Sequence, residues 1–108
     1  MANYFNITGS TGTQVELLAP GSGVNNISSI LLTNVHATAD ATVSLFIQDD
    51  PASGSTKTFY IIHTIAIPAD CSLLLDNSSM LSFPNNRSTG YGLYIVVGSS
   101  DTVDVKIN

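Results

Sequence analysis

The sequence predicts an all-β protein, a single antiparallel β-sandwich of about eight strands with a jelly-roll-like or immunoglobulin-like arrangement. Three observations predict this fold class. No stretch of the chain places apolar residues at helical spacing over the length of a helix. Short apolar runs, alternating or continuous, recur along the chain, and clusters of Gly, Pro, Asn, Asp and Ser separate them. Strands joined by turns produce this pattern.

The length of the chain predicts one domain. For a chain of 108 residues, area-scaling relations give roughly 5,700 Å² of folded surface against about 16,400 Å² unfolded, so about two-thirds is buried. That suffices for one hydrophobic core, whereas a second core needs a longer chain. Residues 1–108 are therefore expected to form a single sandwich domain.

The predicted strands follow the apolar runs in order. They lie near residues 3–8, 13–18, 26–34, 42–48, 57–67, 71–76, 91–97 and 102–107, with a further short extended piece at 79–83. The first two runs are short. The next three are dense apolar runs in which Ser, Thr and Asn stand where charges are usual. The sixth follows a Pro-Ala-Asp turn, and Pro- and Gly-containing segments at 19–23 and 49–55 join other strands.

The last two strands differ in their faces. In the final strand, Val103, Val105 and Ile107 alternate with polar residues, which predicts one core face and one solvated face. In the strand before it, the face opposite the predicted core carries Tyr94 and Val96. The fifth strand is likewise apolar on both faces. Because a two-layer sandwich covers only one face of each sheet, these strands predict cover by another copy or a larger assembly.

The composition excludes several classes of partner. Only 10% of the residues are charged, against roughly 25% in an average soluble domain, while 34 residues are Ser, Thr or Asn. The net charge of −5 repels phosphate backbones and anionic lipids, so no nucleic-acid or membrane partner is expected. No apolar run approaches a membrane span, and the N-terminus lacks the features of a signal peptide. We expect a protein made and kept in a cytoplasm.

Residues able to carry out catalysis are few. The one cysteine, Cys71, is expected to be a small buried residue, His36 to lie in a polar turn, and His63 to be a partly buried strand residue. The chain lacks the nucleophile, zinc and phosphate-loop motifs of known enzymes. We therefore expect no enzyme, cofactor or metal. Asp49 and Asp50 are interpreted as solvated turn acids in preference to calcium ligands.

Two other classes of function stay open on the residues alone. A glycan-binding module would use Tyr91 and Tyr94, which lie beside Gly90 and Gly92, as stacking rings, although the chain has no Trp. A small hydrolase would use His63 or Cys71.

Several segments together resemble a known group of proteins. They are residues 1–8, the 27–47 hairpin with its 31–34 and 41–43 elements, and residues 65–70 followed by the leucines at 73–75. In these segments the chain resembles small β-sandwich virion structural proteins of tailed bacteriophages, particularly of marine T4-like and related phages. The resemblance implies a non-enzymatic protein located in the virion, made in the host cytoplasm and of head decoration or cement type.

This resemblance predicts how the protein acts. It would self-associate, with a trimer as one candidate, and stabilise the shell through contacts with the major capsid protein or another virion protein. The alternatives are a tail, neck or baseplate accessory protein, or a glycan-binding adhesin module at a fibre tip. The residues expected at the interfaces are outward-facing apolar groups and the aromatic pair near the N-terminus: Tyr4, Phe5, Tyr60, Ile62, Tyr94 and Val96.

Overall fold

The strands of the protein match the predicted order. The computed structural model describes residues 3–8, 14–19, 21, 27–49, 57–83, 85, 91–98 and 101–108. The elements within them are β1 (Asn3–Thr8), β2 (Val15–Leu18), β3 (Ile30–Asn34), β4 (Ala41–Asp49), β5 (Thr58–Ile67), β6 (Ser72–Leu75), α1 (Ser78–Leu81), β7 (Tyr91–Val97) and β8 (Thr102–Ile107). The prediction of an all-β fold with about eight strands is confirmed.

The strands form two four-stranded antiparallel sheets. The first sheet has the order β1-β8-β3-β6, and the second has the order β2-β7-β4-β5. β4 pairs with the next strand in sequence, β5, and around this hairpin β3 pairs with β6, β2 with β7 and β1 with β8. The chain is thus one long hairpin rolled across both sheets, which is a jelly roll. An immunoglobulin-like sandwich pairs several sets of consecutive strands within a sheet, so the jelly-roll alternative is the one that the structure has.

The core lies between the two sheets, and most strands contribute alternate residues to it, although β2 buries adjacent Leu17 and Leu18. In β8, Val103, Val105 and Ile107 are buried, as the alternation predicts. In β7, Leu93 and Ile95 are completely buried. The residues between these core positions along each strand point outward, and their side chains are the ones available for function.

The predicted extended piece at 79–83 is wrong, because Ser78–Leu81 form a single helical turn. Asn77 precedes this turn, and its Oδ1 accepts a hydrogen bond from the Ser79 amide at 3.0 Å, which is the usual N-cap arrangement. Leu81 is buried and anchors the turn on the core. Within the described residues, no helix is long and apolar enough to cross a membrane.

The third strand begins later than predicted. Its regular pairing starts at Ile30, and the residues just before it bond to the end of the chain. The Ser28 amide donates to the Asn108 carbonyl at 2.7 Å, and the Asn108 amide donates to the Ser29 carbonyl at 3.0 Å. The predicted strand residues 13 and 26 lie outside the described residues.

A buried asparagine ties together the segments that cross between the sheets at one end of the sandwich. Asn34 is fully buried at the end of β3. Its Nδ2 donates to the carbonyls of Ala39 at 2.8 Å and Ile67 at 2.9 Å, and its Oδ1 accepts from the His36 amide at 2.9 Å. One amide therefore satisfies polar groups of the β3–β4 crossing and of the end of β5, where the sheet ladders provide no partner.

A second contact at this end requires a glycine. The Asp101 carboxylate accepts a hydrogen bond from the Thr42 amide at 3.1 Å, and the Gly98 amide donates to the Thr42 carbonyl at 2.8 Å. A Cβ atom on Gly98 would lie only 2.5 Å from Oδ2 of Asp101. The Asp101 carboxylate can take this position because residue 98 has no side chain.

We predict that Asn34→Ala lowers the free energy of unfolding by about 2–4 kcal/mol, because it leaves two buried carbonyls and one amide without their partner. Urea unfolding followed by circular dichroism measures the change. The control is Asn108→Ala, an exposed position, for which the change should stay within about 0.5 kcal/mol. Equal stability of the two variants would contradict the role given to Asn34.

Candidate functional site

An aromatic row crosses the outer face of the second sheet. Glu16, Tyr94, Phe46 and Tyr60 lie opposite one another on β2, β7, β4 and β5. The Tyr94 and Phe46 rings are stacked with centroids 5.9 Å apart, and the Phe46 and Tyr60 rings are tilted with centroids 5.3 Å apart. The Tyr94 hydroxyl donates to a Glu16 carboxylate oxygen at 3.5 Å. Ring pairs at these separations add favourable contacts beyond simple burial.

This row covers part of the face that was expected to need a partner. Phe46 is 3% exposed and Tyr94 is 6% exposed within the single chain. The expectation that nothing within the chain could cover the second face of β7 is therefore wrong for Tyr94, because rings on the neighbouring strands cover one another. A partner could contact the row mainly through Tyr60, which is 53% exposed at its end.

Two irregularities in β5 change which of its residues face outward. The register shifts between the Val43 and Leu45 pairs and again between the Leu45 and Phe46 pairs, so β5 holds extra residues at both places. Each extra residue reverses the alternation of faces. Ile62 consequently pairs with Leu45 and packs against the core, as does Ile61. The expectation that Ile62 points outward is wrong for this reason.

The bulge also determines the position of His63. Thr64 has a φ of 53°, in the left-handed region that β-branched residues rarely adopt. Its amide donates to the Ser44 hydroxyl oxygen at 2.9 Å, which holds the bulge against β4. His63 is exposed, not partly buried as expected, and meets the Tyr60 ring edge-on at a centroid distance of 4.5 Å.

We define the β5 surface as Phe59, Tyr60, His63 and Ile65. Phe59 is 52% exposed and Ile65 is 37% exposed. β5 is an edge strand of the second sheet, so one side of its backbone has no neighbouring strand in the sheet. Its ten residues include no Asp, Glu, Lys or Arg. The β5 surface is therefore an uncharged sheet edge, with Tyr60 and His63 exposed on its outer face and Phe59 and Ile65 exposed on the face that points toward the core side of the sheet.

A groove of about 480 Å³ lies on the outer face of the first sheet. The cross-strand register arranges its side chains in two rows that run across the strands. The apolar row consists of Tyr4, Lys106 and Leu31 within the groove, and Leu74 continues it on β6 beyond the groove. Tyr4 is 69% exposed, and Nζ of Lys106 lies 5.7 Å from the centre of its ring.

The polar row runs beside the apolar row, displaced by two residues along each strand. It consists of Asn6, Asp104 and Thr33 within the groove, and Ser72 continues it on β6 beyond the groove. The Asn6 amide nitrogen donates to Oδ1 of Asp104. The Thr33 and Ser72 hydroxyl oxygens are 2.9 Å apart and share a hydrogen bond. The first-sheet groove thus has an apolar half and a polar half side by side.

The six residues predicted at interfaces do not form one surface. Tyr4 lies in the first-sheet groove, whereas Phe5, its neighbour, packs partly buried against the core. Tyr60 belongs to the β5 surface, and Val96 is half-buried on the outer face of the second sheet. Period-two patterning of each strand could not have grouped them, because the grouping depends on which strands are paired.

The residues proposed for the two rival functions are also dispersed. Cys71 is exposed, so the expectation of a small buried residue is wrong. Cys71 follows a turn, and its backbone carbonyl accepts a hydrogen bond from the backbone N–H of Asn34. Tyr91 is half-buried with its ring 5.9 Å from Phe59, and Tyr94 is too buried to serve as a stacking platform. His36 lies in the β3–β4 turn, where its Nδ1 accepts from two backbone amides at 3.1 Å.

The acidic residues raised as calcium candidates receive no further support. Asp49 is the last residue of β4, and Asp50 lies outside the described residues. Within the part of the chain that the structure describes, no group of three or more His, Cys, Asp or Glu side chains could hold a metal ion.

Comparison with known proteins gives remote similarities only. No family model and no curated protein matches the chain. The chain is similar to one in the structure of infectious bursal disease virus Gx strain, with a TM-score of 0.44 and 13% identity over 99% of this chain and 33% of that chain. It is similar to one in the crystal structure of the IBDV viral particle, with a TM-score of 0.43 and 14% identity over 98% of this chain and 30% of that chain. The chain spans about a third of the length of these solved chains, and similarity at this level assigns no family.

We predict that Thr64→Asn raises the free energy of unfolding by about 0.5–1 kcal/mol, because Asn adopts the left-handed conformation at lower cost than a β-branched residue. The backbone hydrogen bond to Ser44 does not depend on the side chain of residue 64. Thermal and urea unfolding measure the difference.

The matched control for this change is Thr42→Asn. Thr42 is an exposed strand residue whose φ lies outside the left-handed region. Asn is disfavoured in strands, so this variant should be no more stable than the natural chain. A Thr64→Asn variant that is less stable than the natural chain would show that the bulge does not strain Thr64.

Proposed function

We propose that the protein is a non-enzymatic structural subunit of a virus particle, and that it associates with further copies of itself through the β5 surface. The observation that carries this proposal is the exposed, uncharged β5 edge with Phe59, Tyr60 and Ile65 along it. The first choice of role is a bacteriophage capsid decoration or cement protein that contacts the major capsid protein.

An uncovered edge of this kind is unusual in a protein that functions alone. Natural sheets protect their edges with charged side chains, proline, short strands or strong bulges. β5 spans ten residues and has no charged side chain, so two of these protections are absent from it. One bulge lies near Thr64 and the other lies between Ile62 and Tyr60, so the regular pairing of this part of β5 with β4 runs from Tyr60 to Thr58. Burial of Tyr60 and Phe59 and pairing of the edge would both favour association.

The composition supports an assembled state. Interface cores are depleted of charged residues relative to the remaining surface, and this chain is depleted of charge as a whole. Around a twofold axis the β5 surface would meet itself, whereas around a threefold axis it would meet a different patch of the neighbouring copy. A trimer remains one candidate for the oligomer.

The resemblance to small phage virion proteins supports the place of action. A decoration or cement protein adds contact area at junctions of the shell, and many weak contacts act together when the sites are repeated. The jelly roll is a fold of viral capsid proteins, but it also occurs in lectins and in cupins, so the fold alone does not select this role. A tail, neck or baseplate accessory protein remains the alternative location.

Copy number separates these locations. Quantitative mass spectrometry of purified particles gives the ratio of this protein to the major capsid protein. A ratio that corresponds to many copies across the shell supports a decoration protein, and a few copies per particle support a neck or tail component. Absence of the protein from purified particles would contradict the virion proposal.

We predict that Ile65→Lys and Tyr60→Lys each shift the protein from an oligomer to a monomer in sedimentation velocity experiments at micromolar concentration. Each change places a charge that would have to be desolvated in the contact, which disfavours association strongly. Both positions are exposed, so the fold should persist in circular dichroism.

The control is Thr8→Lys, which adds the same charge at an exposed position of β1 on the other sheet. This variant should sediment as the natural chain does. A natural chain that is already monomeric and shows no affinity for capsids would contradict the proposal, and so would an oligomer that both β5 variants leave intact.

A further inference from the structure

The first-sheet groove carries a pattern that the proposed function does not use. Its two rows alternate in character along the strand direction, with apolar groups in one and amide, carboxylate and hydroxyl groups in the other. We propose that this groove is a binding site for a neutral saccharide, with the Tyr4 ring as its stacking platform and Asp104 and Asn6 as its main hydrogen-bonding groups.

The apolar row provides a surface for the carbon-bound hydrogens of a sugar ring. A pyranose has one face of C–H groups and a rim of hydroxyls, so it needs an apolar surface and polar partners next to each other. Tyr4 is a largely exposed residue that lines the groove together with Leu31, and the Lys106 ammonium lies over its ring. Aromatic rings that keep one polar end in water suit such a contact.

The polar row provides groups that match the hydroxyl rim. The Asp104 carboxylate has about four acceptor positions, and the hydrogen bond from Asn6 occupies one of them. That bond also restricts the rotamers of both side chains, so their remaining donor and acceptor positions have defined directions. Thr33 and Ser72 extend the row with hydroxyls that can donate or accept.

The charges of the groove favour a neutral ligand. It contains one carboxylate, Asp104, and one ammonium group, Lys106, both among the residues that line it. A phosphate or sulfate group would be repelled by the Asp104 carboxylate. It would also be repelled by the overall net charge of −5 of the protein. A carboxylate and an ammonium can each form strong hydrogen bonds to neutral hydroxyls.

The dimensions fit a short oligosaccharide. The lining residues come from three strands, which at the usual spacing of about 4.8 Å make each row roughly 10 Å long within the groove. The groove volume of about 480 Å³ lies within the range of ligand sites. Only one exposed aromatic ring lines the described part of the groove, so binding is expected in the millimolar to high micromolar range, with repeated copies on a particle raising the avidity.

This inference does not rest on the proposed function. The groove is on the outer face of the first sheet, whereas the β5 surface belongs to the second sheet. Of the two residues that the sequence suggested for a sugar platform, Tyr94 is buried under the Phe46 ring and Tyr91 is half-buried beside Phe59. The platform lies instead at Tyr4, which the sequence places far from Asp104 and Lys106.

The test is titration of the isotope-labelled protein with methyl glucoside, methyl galactoside, N-acetylglucosamine and short linear oligomers of these sugars, followed by NMR amide shifts. Saturable shifts centred on residues 4–6 and 104–106 are expected for at least one probe. Tyr4→Ala and the isosteric Asp104→Asn should each weaken that binding about tenfold or more. Tyr60→Ala removes an exposed tyrosine from the opposite sheet and should leave sugar binding unchanged.

The contrary results are equally definite. Absence of saturable shifts with every probe would overturn the inference, and so would binding that survives Tyr4→Ala in a variant with a native amide spectrum. Loss of self-association in Tyr4→Ala would assign the groove to a protein contact instead. If Tyr60→Ala abolishes assembly while sugar binding persists, both proposals are supported. If no sugar binds to the natural chain but Tyr60→Ala still abolishes assembly, the groove inference is overturned and the β5 proposal is supported.

Discussion

The buried amide of Asn34 is the contact on which the remainder of the architecture depends. A jelly roll carries its chain repeatedly from one sheet to the other, and each crossing removes backbone groups from the ladders. Two such crossings, β3 to β4 and β5 to β6, meet at the same end of this sandwich. Asn34 bonds to Ala39, His36 and Ile67 there. It thereby fixes the start of β4 against the end of β5, and with it the register of the central hairpin.

Neutral amides and close backbone approaches perform this task at other crossings too. Asn85 is fully buried and donates to the carbonyls of Ala19 and Tyr91, which ties the end of β2 to the start of β7. At the end of the sandwich where Asn34 lies, opposite to Asn85, Gly98 leaves room for the Asp101 carboxylate. The abundance of Asn in this low-charge chain therefore reflects interior contacts as well as a neutral surface, because a buried amide costs far less to desolvate than a charge.

The sequence was sufficient for the strands and insufficient for their neighbours. Alternation in β8 predicted its core face correctly because nothing interrupts that strand. The same reasoning failed for Ile62, since one extra residue of β5 lies on each side of it and each reverses the alternation of faces. No local signal in the sequence marks a bulge built around a threonine with positive φ. The same reasoning also failed for Tyr94, whose cover comes from Phe46 on a strand distant in sequence. The first-sheet groove could not be predicted at all, because its rows exist only once β1, β8 and β3 are placed side by side.

The topology also explains why the two uncovered surfaces differ in chemistry. β8, which supplies Asp104 and Lys106, is an interior strand of the first sheet, with hydrogen-bonded neighbours on both sides. Its outer face can therefore carry charges without weakening any pairing, and cross-strand partners such as Asn6 hold them in place. β5 lies at an edge, where charged side chains would normally guard the free backbone. The edges of the first sheet, β1 and β6, also lack charges but are shorter, so the distinguishing feature of β5 is its ten-residue length together with its exposed Phe59 and Tyr60 rings. It makes the edge a surface suited to pairing and the groove a surface suited to recognition.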